Sequence, residues 1–139
     1  MDIQMKQDAL GSTGKSGQDP HPWVLEFPGA VTVCDKNGVI IDMNEEAARA
    51  YAGNGGFKLL GADILACHPD PAKVKLKDLM ESRLKNIYTI KENGRRKLIF
   101  QTPWFLDGEY AGYLDLSLEI PWEMPHFDRD HISSVRGAR

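Results

Sequence analysis

The chain has little of what marks several large classes of protein. It holds two cysteines, Cys34 and Cys67, in 139 residues. That is too few for a disulfide framework or a four-thiolate zinc site. A reducing setting, with both thiols buried or spare, is the expectation. No stretch approaches the ~20 apolar residues that span a bilayer, so no membrane association is expected. The N-terminus is polar and lacks an apolar signal core, which argues against export and for a cytoplasmic location. Basic charge is not in excess: 17 Lys+Arg stand against 20 Asp+Glu, a net charge of −3. That balance argues against a nucleic-acid binder. What is present, 42% apolar and 27% charged residues, suits a folded domain and not a disordered chain. The length gives room for one domain with one core.

Residues 1–22 read as a flexible tail, rich in glycine and serine around Gly11 to Pro20. The stretch Ala9–Ser16, ending Gly14-Lys15-Ser16, approaches a phosphate-binding loop. Such a loop needs a buried strand before it and an apolar-faced helix after it. Met1–Ala9 has no strand pattern, and Gly17 and Pro20 fall where the helix would run, so nucleotide binding is not expected. Residues 23–120 read as the folded domain, and residues 121–139, polar and carrying Pro121 and Pro125, as a second tail.

Within the domain the residues alternate between strand and turn. Ala30–Cys34 and Val39–Met43 read as two strands of a hairpin, joined by Asp35-Lys36-Asn37-Gly38, whose Asn37-Gly38 pair suits positive φ. Asn44 reads as a helix N-cap, with Glu45 and Glu46 in the first turn. Ala47, Ala48 and Tyr51 share a face, and Gly53 ends that helix. Phe57–Leu60 suits one short turn. A longer helix follows Pro69 and Pro71. Its apolar stripe is Leu76, Leu79, Met80, Leu84 and Ile87, and Lys73, Lys75, Lys77, Arg83 and Lys85 occupy the remaining surface. That basic face is interrupted by Asp78 and Glu81 and carries no aromatics, so it reads as a solvated surface.

Three strands close the domain: Ile87–Lys91, Arg95–Leu106 and Glu109–Ile120, with turns at Asn93-Gly94 and Asp107-Gly108. In the last, Leu114, Leu116, Leu118 and Ile120 share one face against Tyr113, Asp115, Ser117 and Glu119. Pro103 is awkward in a strand. Pairing across the Asn93-Gly94 turn exhausts the shorter neighbour near Ile99, which leaves Pro103 beyond it. The expected class is α+β, a five-stranded antiparallel sheet with helices on one face. The leucine-striped helix is expected to lie across that sheet and cover its apolar side.

The residues also resemble a known family. Asp35-Lys36-Asn37-Gly38-Val39-Ile40 followed by Asn44-Glu45-Glu46-Ala47 resembles the opening hairpin and helix cap of PAS domains. Leu60-Gly61-Ala62-Asp63-Ile64 is similar to their Leu-Gly element, Cys67-His68-Pro69-Asp70 to their His-Pro-x-Asp element, and Asp107-Gly108-Glu109-Tyr110-Ala111-Gly112 to their last hairpin. The resemblance runs from about Phe27 to Ile120 and is nearest to bacterial PAS segments with a Cys-His-Pro element. It implies a sensor or signal-transduction module. Where PAS domains that drive an attached effector commonly end in Asp-Ile-Thr, this chain has Glu119-Ile120-Pro121, and Pro121 discourages a continuous connecting helix. The expectation is a module without its own effector, acting through a separate effector protein or a change in assembly.

A PAS cavity lies between the inner sheet face and the helices. The positions expected to line it are Val33, Met43, Tyr51, Ile64, His68, Leu79, Phe100, Thr102 and Trp104. The same residues would serve a filled core, and burial patterns do not separate the two. The resemblance implies a small apolar or aromatic ligand, or a cofactor. Haem is one candidate, with His68 as its iron ligand and the Cys67 thiolate beside it. His68 is better explained as a structural residue shaping the turn into the helix. His21, His126 and His131 lie outside the domain's core pattern and suggest no metal set. The cysteine-bearing flavin segment of light-sensing PAS domains is absent, and Cys34 reads as inert core. No Ser/His/Asp set has a suggestive context, so enzymatic activity is not expected. Asp42 and Asp115 sit on strands, where a buried carboxylate would merit a test. A rival reading is a ligand-free interaction module, a homodimer formed through its sheet or through the apolar patch of Trp23, Val24, Leu25 and Phe27.

Overall fold

Five strands join into one sheet in a computed structural model, which describes residues 21–68 and 70–130. They are β1 (Ala30–Asp35), β2 (Ile40–Met43), β3 (Asn86–Glu92), β4 (Arg95–Leu106) and β5 (Glu109–Ile120). Their order across the sheet is β2-β1-β5-β4-β3, and every neighbouring pair is antiparallel. Between β2 and β3 the chain forms α1 (Glu45–Ala50), three short 3₁₀ turns and α2 (Ala72–Ser82). The expected α+β architecture is therefore present. Of the expected tails, residues 1–20 and 131–139 lie outside the described residues, and the Ala9–Ser16 segment and His131 fall within those stretches.

Local chemistry accounts for the turns. In the first hairpin the Asp35 carboxylate accepts from the amides of Asn37 (2.9 Å) and Val39 (3.0 Å), and Gly38 alone takes positive φ (85°). Asn37 does not share that geometry, so this is a longer turn than the expected Asn-Gly pair. The last two hairpins do place both turn residues at positive φ: Asn93 and Gly94 at 54° and 76°, Asp107 and Gly108 at 52° and 80°. β3 pairs with β4 as far as Gln101, so Pro103 lies beyond its end and removes no bond from that edge.

Both helices end earlier than their patterns predict. The first stops at Ala50 with Tyr51 as C-cap, three residues before Gly53. The second stops at Ser82, where Arg83 turns left-handed (φ 59°). Leu84 and Ile87 therefore leave the stripe and are exposed, while Leu76 and Leu79 remain buried. Tertiary partners hold this ending. The Arg83 guanidinium stacks 4.2 Å over the Tyr110 ring, and the buried Tyr113 hydroxyl donates to the Leu84 carbonyl.

The core joins the helices to the sheet through Cys34, Ile40, Met43, Ala47, Ile64, Leu76, Leu79 and Tyr113. A bulge in β2 turns both Ile40 and Met43 inward and leaves Ile41 and Asp42 exposed. Burial pushes the Cys34 thiol up, which suits an inert core residue. Cys34 pairs across with Tyr113, Thr32 with Asp115, and Asp115 with Gln101, so these residues share the helix-covered face. Val31, Val33, Leu98, Phe100, Leu114, Leu116 and Leu118 take the other parity and form the outer face. This reverses the expectation for β5: the helices cover the polar side of the strand, and the leucine side looks away from them. Alternation fixes that β5 has two unlike faces, but not which one receives the helices.

Candidate functional site

A cavity of about 660 Å³ lies over the inner face, bounded by α1, the His68 turn and the start of α2. Its sheet wall is built from the inner parity of the strands: Thr32 of β1, Asn86 and Tyr88 of β3, Ile99 and Gln101 of β4, Asp115 and Ser117 of β5. Tyr51, His68 and Leu76 close the helical side. The wall is polar for most of its extent, unlike the apolar lining usual for small-molecule pockets.

The polar groups form an ordered relay. Asn86 donates through Nδ2 to the Gln101 side-chain oxygen (3.0 Å), and Gln101 donates through Nε2 to the Asp115 carboxylate (3.2 Å). The first bond fixes the Gln101 amide so that its NH₂ faces Asp115. Burial holds the Asp115 carboxyl above the ordinary carboxylate range. The Gln101 bond and the nearby His68 ring oppose that rise. Tyr88 is shifted up by burial and by the Asp115 charge, which places it within electrostatic reach of the carboxylate. His68 sets its Nδ1 3.0 Å from the Ile64 carbonyl. A carbonyl only accepts, so Nδ1 carries the proton and Nε2 is the acceptor of the neutral ring.

The structure separates the nine expected lining residues into three groups. Tyr51 and His68 line the cavity. Met43, Ile64 and Leu79 are buried in the core beside it. Val33, Phe100, Thr102 and Trp104 lie on the outer parity of β1 and β4, away from the cavity. Trp104 instead donates through Nε1 to the Cys34 carbonyl at 3.0 Å. The residues that make the floor, Thr32, Gln101, Asp115 and Ser117, carry only one sequence signal: a polar residue at every second place on strands whose other face is apolar. A solvated face gives the same pattern.

Haem meets one condition here, an imidazole whose Nδ1–H is held by a carbonyl and whose Nε2 meets no hydrogen-bond partner among the described residues. The walls do not fit it. A porphyrin needs apolar cover over its ring, and the sheet wall offers a carboxylate, two amides and three hydroxyls.

A pH test follows from Asp115. Its folded carboxyl holds a proton more tightly than the unfolded one, so the folded state binds more protons between the ordinary value of 3.8 and the raised one. Stability therefore falls as pH rises through that window. Asp115→Asn is expected to raise Tm by ~2–5 °C at pH 7–8. The gain should vanish below the ordinary carboxylate value. Circular-dichroism melts across pH measure this, and an unchanged Tm at pH 8 would contradict the burial cost.

No family model matches the chain, and no curated protein matches it. Solved structures match it in fold. The PAS domain of BvgS from Bordetella pertussis superposes with a TM-score of 0.54 at 16% identity, covering 82% of this chain and 89% of that one. A sensory box sensor histidine kinase from Vibrio cholerae gives 0.55 at 14% identity, covering 70% of this chain and 85% of its own. The Aer2 receptor from Vibrio cholerae, described as a dual PAS-heme oxygen sensor, gives 0.50 at 22% identity, covering 67% and 95%.

Proposed function

We propose that this chain, whose fold is that of a PAS domain, is a signal-sensing module that binds a small molecule on the inner face of its sheet and relays occupancy through protein contacts. The cavity of about 660 Å³ carries this reading, because it sets a few convergent polar groups inside a wall of fixed strands. No helix among the described residues is long and apolar enough to cross a membrane. Occupancy can bias the module only by as much as the ligand prefers one of two states, ~1–3 kcal/mol for typical coupled sites. Native mass spectrometry of the purified protein tests the reading. A bound small-molecule mass is expected, released on denaturation and lost in Ser117→Trp, which sets an indole into the cavity beside Asp115. No adduct in the wild type, together with no binding of added probes, would count against a ligand. The absorption spectrum is expected to lack a Soret band. A band that disappears in His68→Ala would instead assign haem.

A second reading has its own observation. The outer face presents Leu98, Phe100, Leu114, Leu116 and Leu118, all only partly buried. Phe27 and Leu118 close over Gly29 at one margin of that face. Such a patch suits a second copy or a separate effector. Light scattering is expected to show a dimer that Leu116→Glu converts to monomer. A wild-type monomer at high concentration would leave the sensor reading without this route of output.

A further inference from the structure

The cavity's chemistry also points to the class of its occupant. Resting on the ligand-binding reading, we propose that the site receives a small organic cation, an amine, amidine or guanidine, whose N–H groups are accepted by Asp115. Asp115 is the acceptor at the centre of the floor, flanked across the strands by Thr32 and Gln101. Gln101 satisfies one carboxylate oxygen, and no other donor to Asp115 is found among the described residues. The relay from Asn86 locks that arrangement and leaves the remaining acceptor capacity for a ligand.

No lysine or arginine pairs with Asp115 among the described residues. Three basic side chains line the same cavity: Lys97 reaches Glu92 at 2.8 Å, Arg95 reaches Glu119 at 3.2 Å, and Lys75, exposed on α2, makes no ion pair with Asp115 among the described residues. The His68 ring lines the same cavity and opposes the effect of burial on the carboxyl. A half-buried carboxylate gives up part of its hydration, and a ligand nitrogen with two or three N–H groups supplies both the charge and the donors that replace it. A neutral apolar ring would leave the carboxylate unmet, and a ligand carboxylate would add a like charge beside it. The hydroxyl oxygens of Thr32 and Ser117 can then accept from the same cation's N–H groups.

Three probes of one shape separate the possibilities: phenethylamine, phenethyl alcohol and phenylacetate. Each is titrated into the ¹⁵N-labelled full chain, and the amide shifts of Gln101, Asp115 and Ser117 are followed. Phenethylamine is expected to bind at least tenfold tighter than the other two. That preference should disappear in Asp115→Asn, with the spectrum otherwise native. If the alcohol or the acid binds as well as the amine, or if the preference survives in Asp115→Asn, the cation proposal is overturned while the cavity stays a binding site. If none of the three moves these amides at millimolar concentration, the cation proposal and the ligand-binding reading fall together.

Discussion

Asn44→Ala is expected to destabilise the fold by about 3–4 kcal/mol, the largest loss foreseen for a polar side chain here. Asn44 is 1% exposed and makes four side-chain hydrogen bonds. Its oxygen accepts from the amides of Ala47 (3.1 Å) and Val31 (3.0 Å). Its NH₂ donates to the carbonyls of Gly29 (2.8 Å) and Val24 (3.1 Å). One bond caps α1. The other three tie that helix to β1 and to the segment that precedes it. A lost N-cap costs ~1 kcal/mol. The remaining groups would be left inside the protein without partners, and each such group costs ~1–3 kcal/mol less whatever water recovers. Urea unfolding should show the midpoint fall with an unchanged slope. Asn44→Ser keeps the cap oxygen and should regain only about 1 kcal/mol. A total loss under ~1 kcal/mol for alanine would mean that Asn44 acts as a cap alone.

Asn44 also shows what was legible in the sequence. A cap residue followed by two acids and an alanine face is a local signal, and local signals survived: the cap, the three hairpin turns and the long strands of the final meander all lie where the pattern put them. What failed depended on partners distant in sequence. The helix stripe ran on to Leu84 and Ile87 because their spacing fits. The chain leaves the helix at Arg83, where Tyr110 and Tyr113 from β5 hold it. The expectation of an apolar face under the helices assigns Val33, Phe100 and Trp104, with Thr102 between the last two, to the cavity. The inner face instead uses Thr32, Gln101 and Asp115, neighbours across the strands with Gln101 bonded to Asp115, and the cavity lies over them. A strand with one oily and one polar face is normal for a sheet with one side in water. Here the assignment inverts, because the polar side is the site and the oily side is left for another surface. The carboxylate on β5 was the one hint of this, and its burial could not be read without the register of β1 and β4.

Gly112→Ala is expected to match or exceed the Asn44 loss, at more than about 3 kcal/mol, because the obstacle is backbone. Gly112 sits on β5 opposite Asp35 of β1 and Trp104 of β4, with φ at 151°. A Cβ there would stand 2.0 Å from the Cys34 carbonyl oxygen and 2.8 Å from both the Asp35 carbonyl carbon and its Cα. No rotamer relieves such a contact, so β1 and β5 must part at that end. The Trp104 indole depends on the same gap: it reaches from β4 across the bare position to the Cys34 carbonyl. Separation of the strands would break that bond as well. Gly94→Ala is the matched control. It also has positive φ (76°), but its Cβ would meet nothing within 4 Å, so it should cost only the ~1 kcal/mol of conformational strain. Fluorescence reports the difference locally. Trp23 and Trp122 are already 68% and 54% exposed, so a red shift in Gly112→Ala at low denaturant would come chiefly from Trp104 leaving its partner. Equal unfolding midpoints for the two alanine variants would show that β1 and β5 can part at no cost, and the close approach at Gly112 would then hold nothing in place.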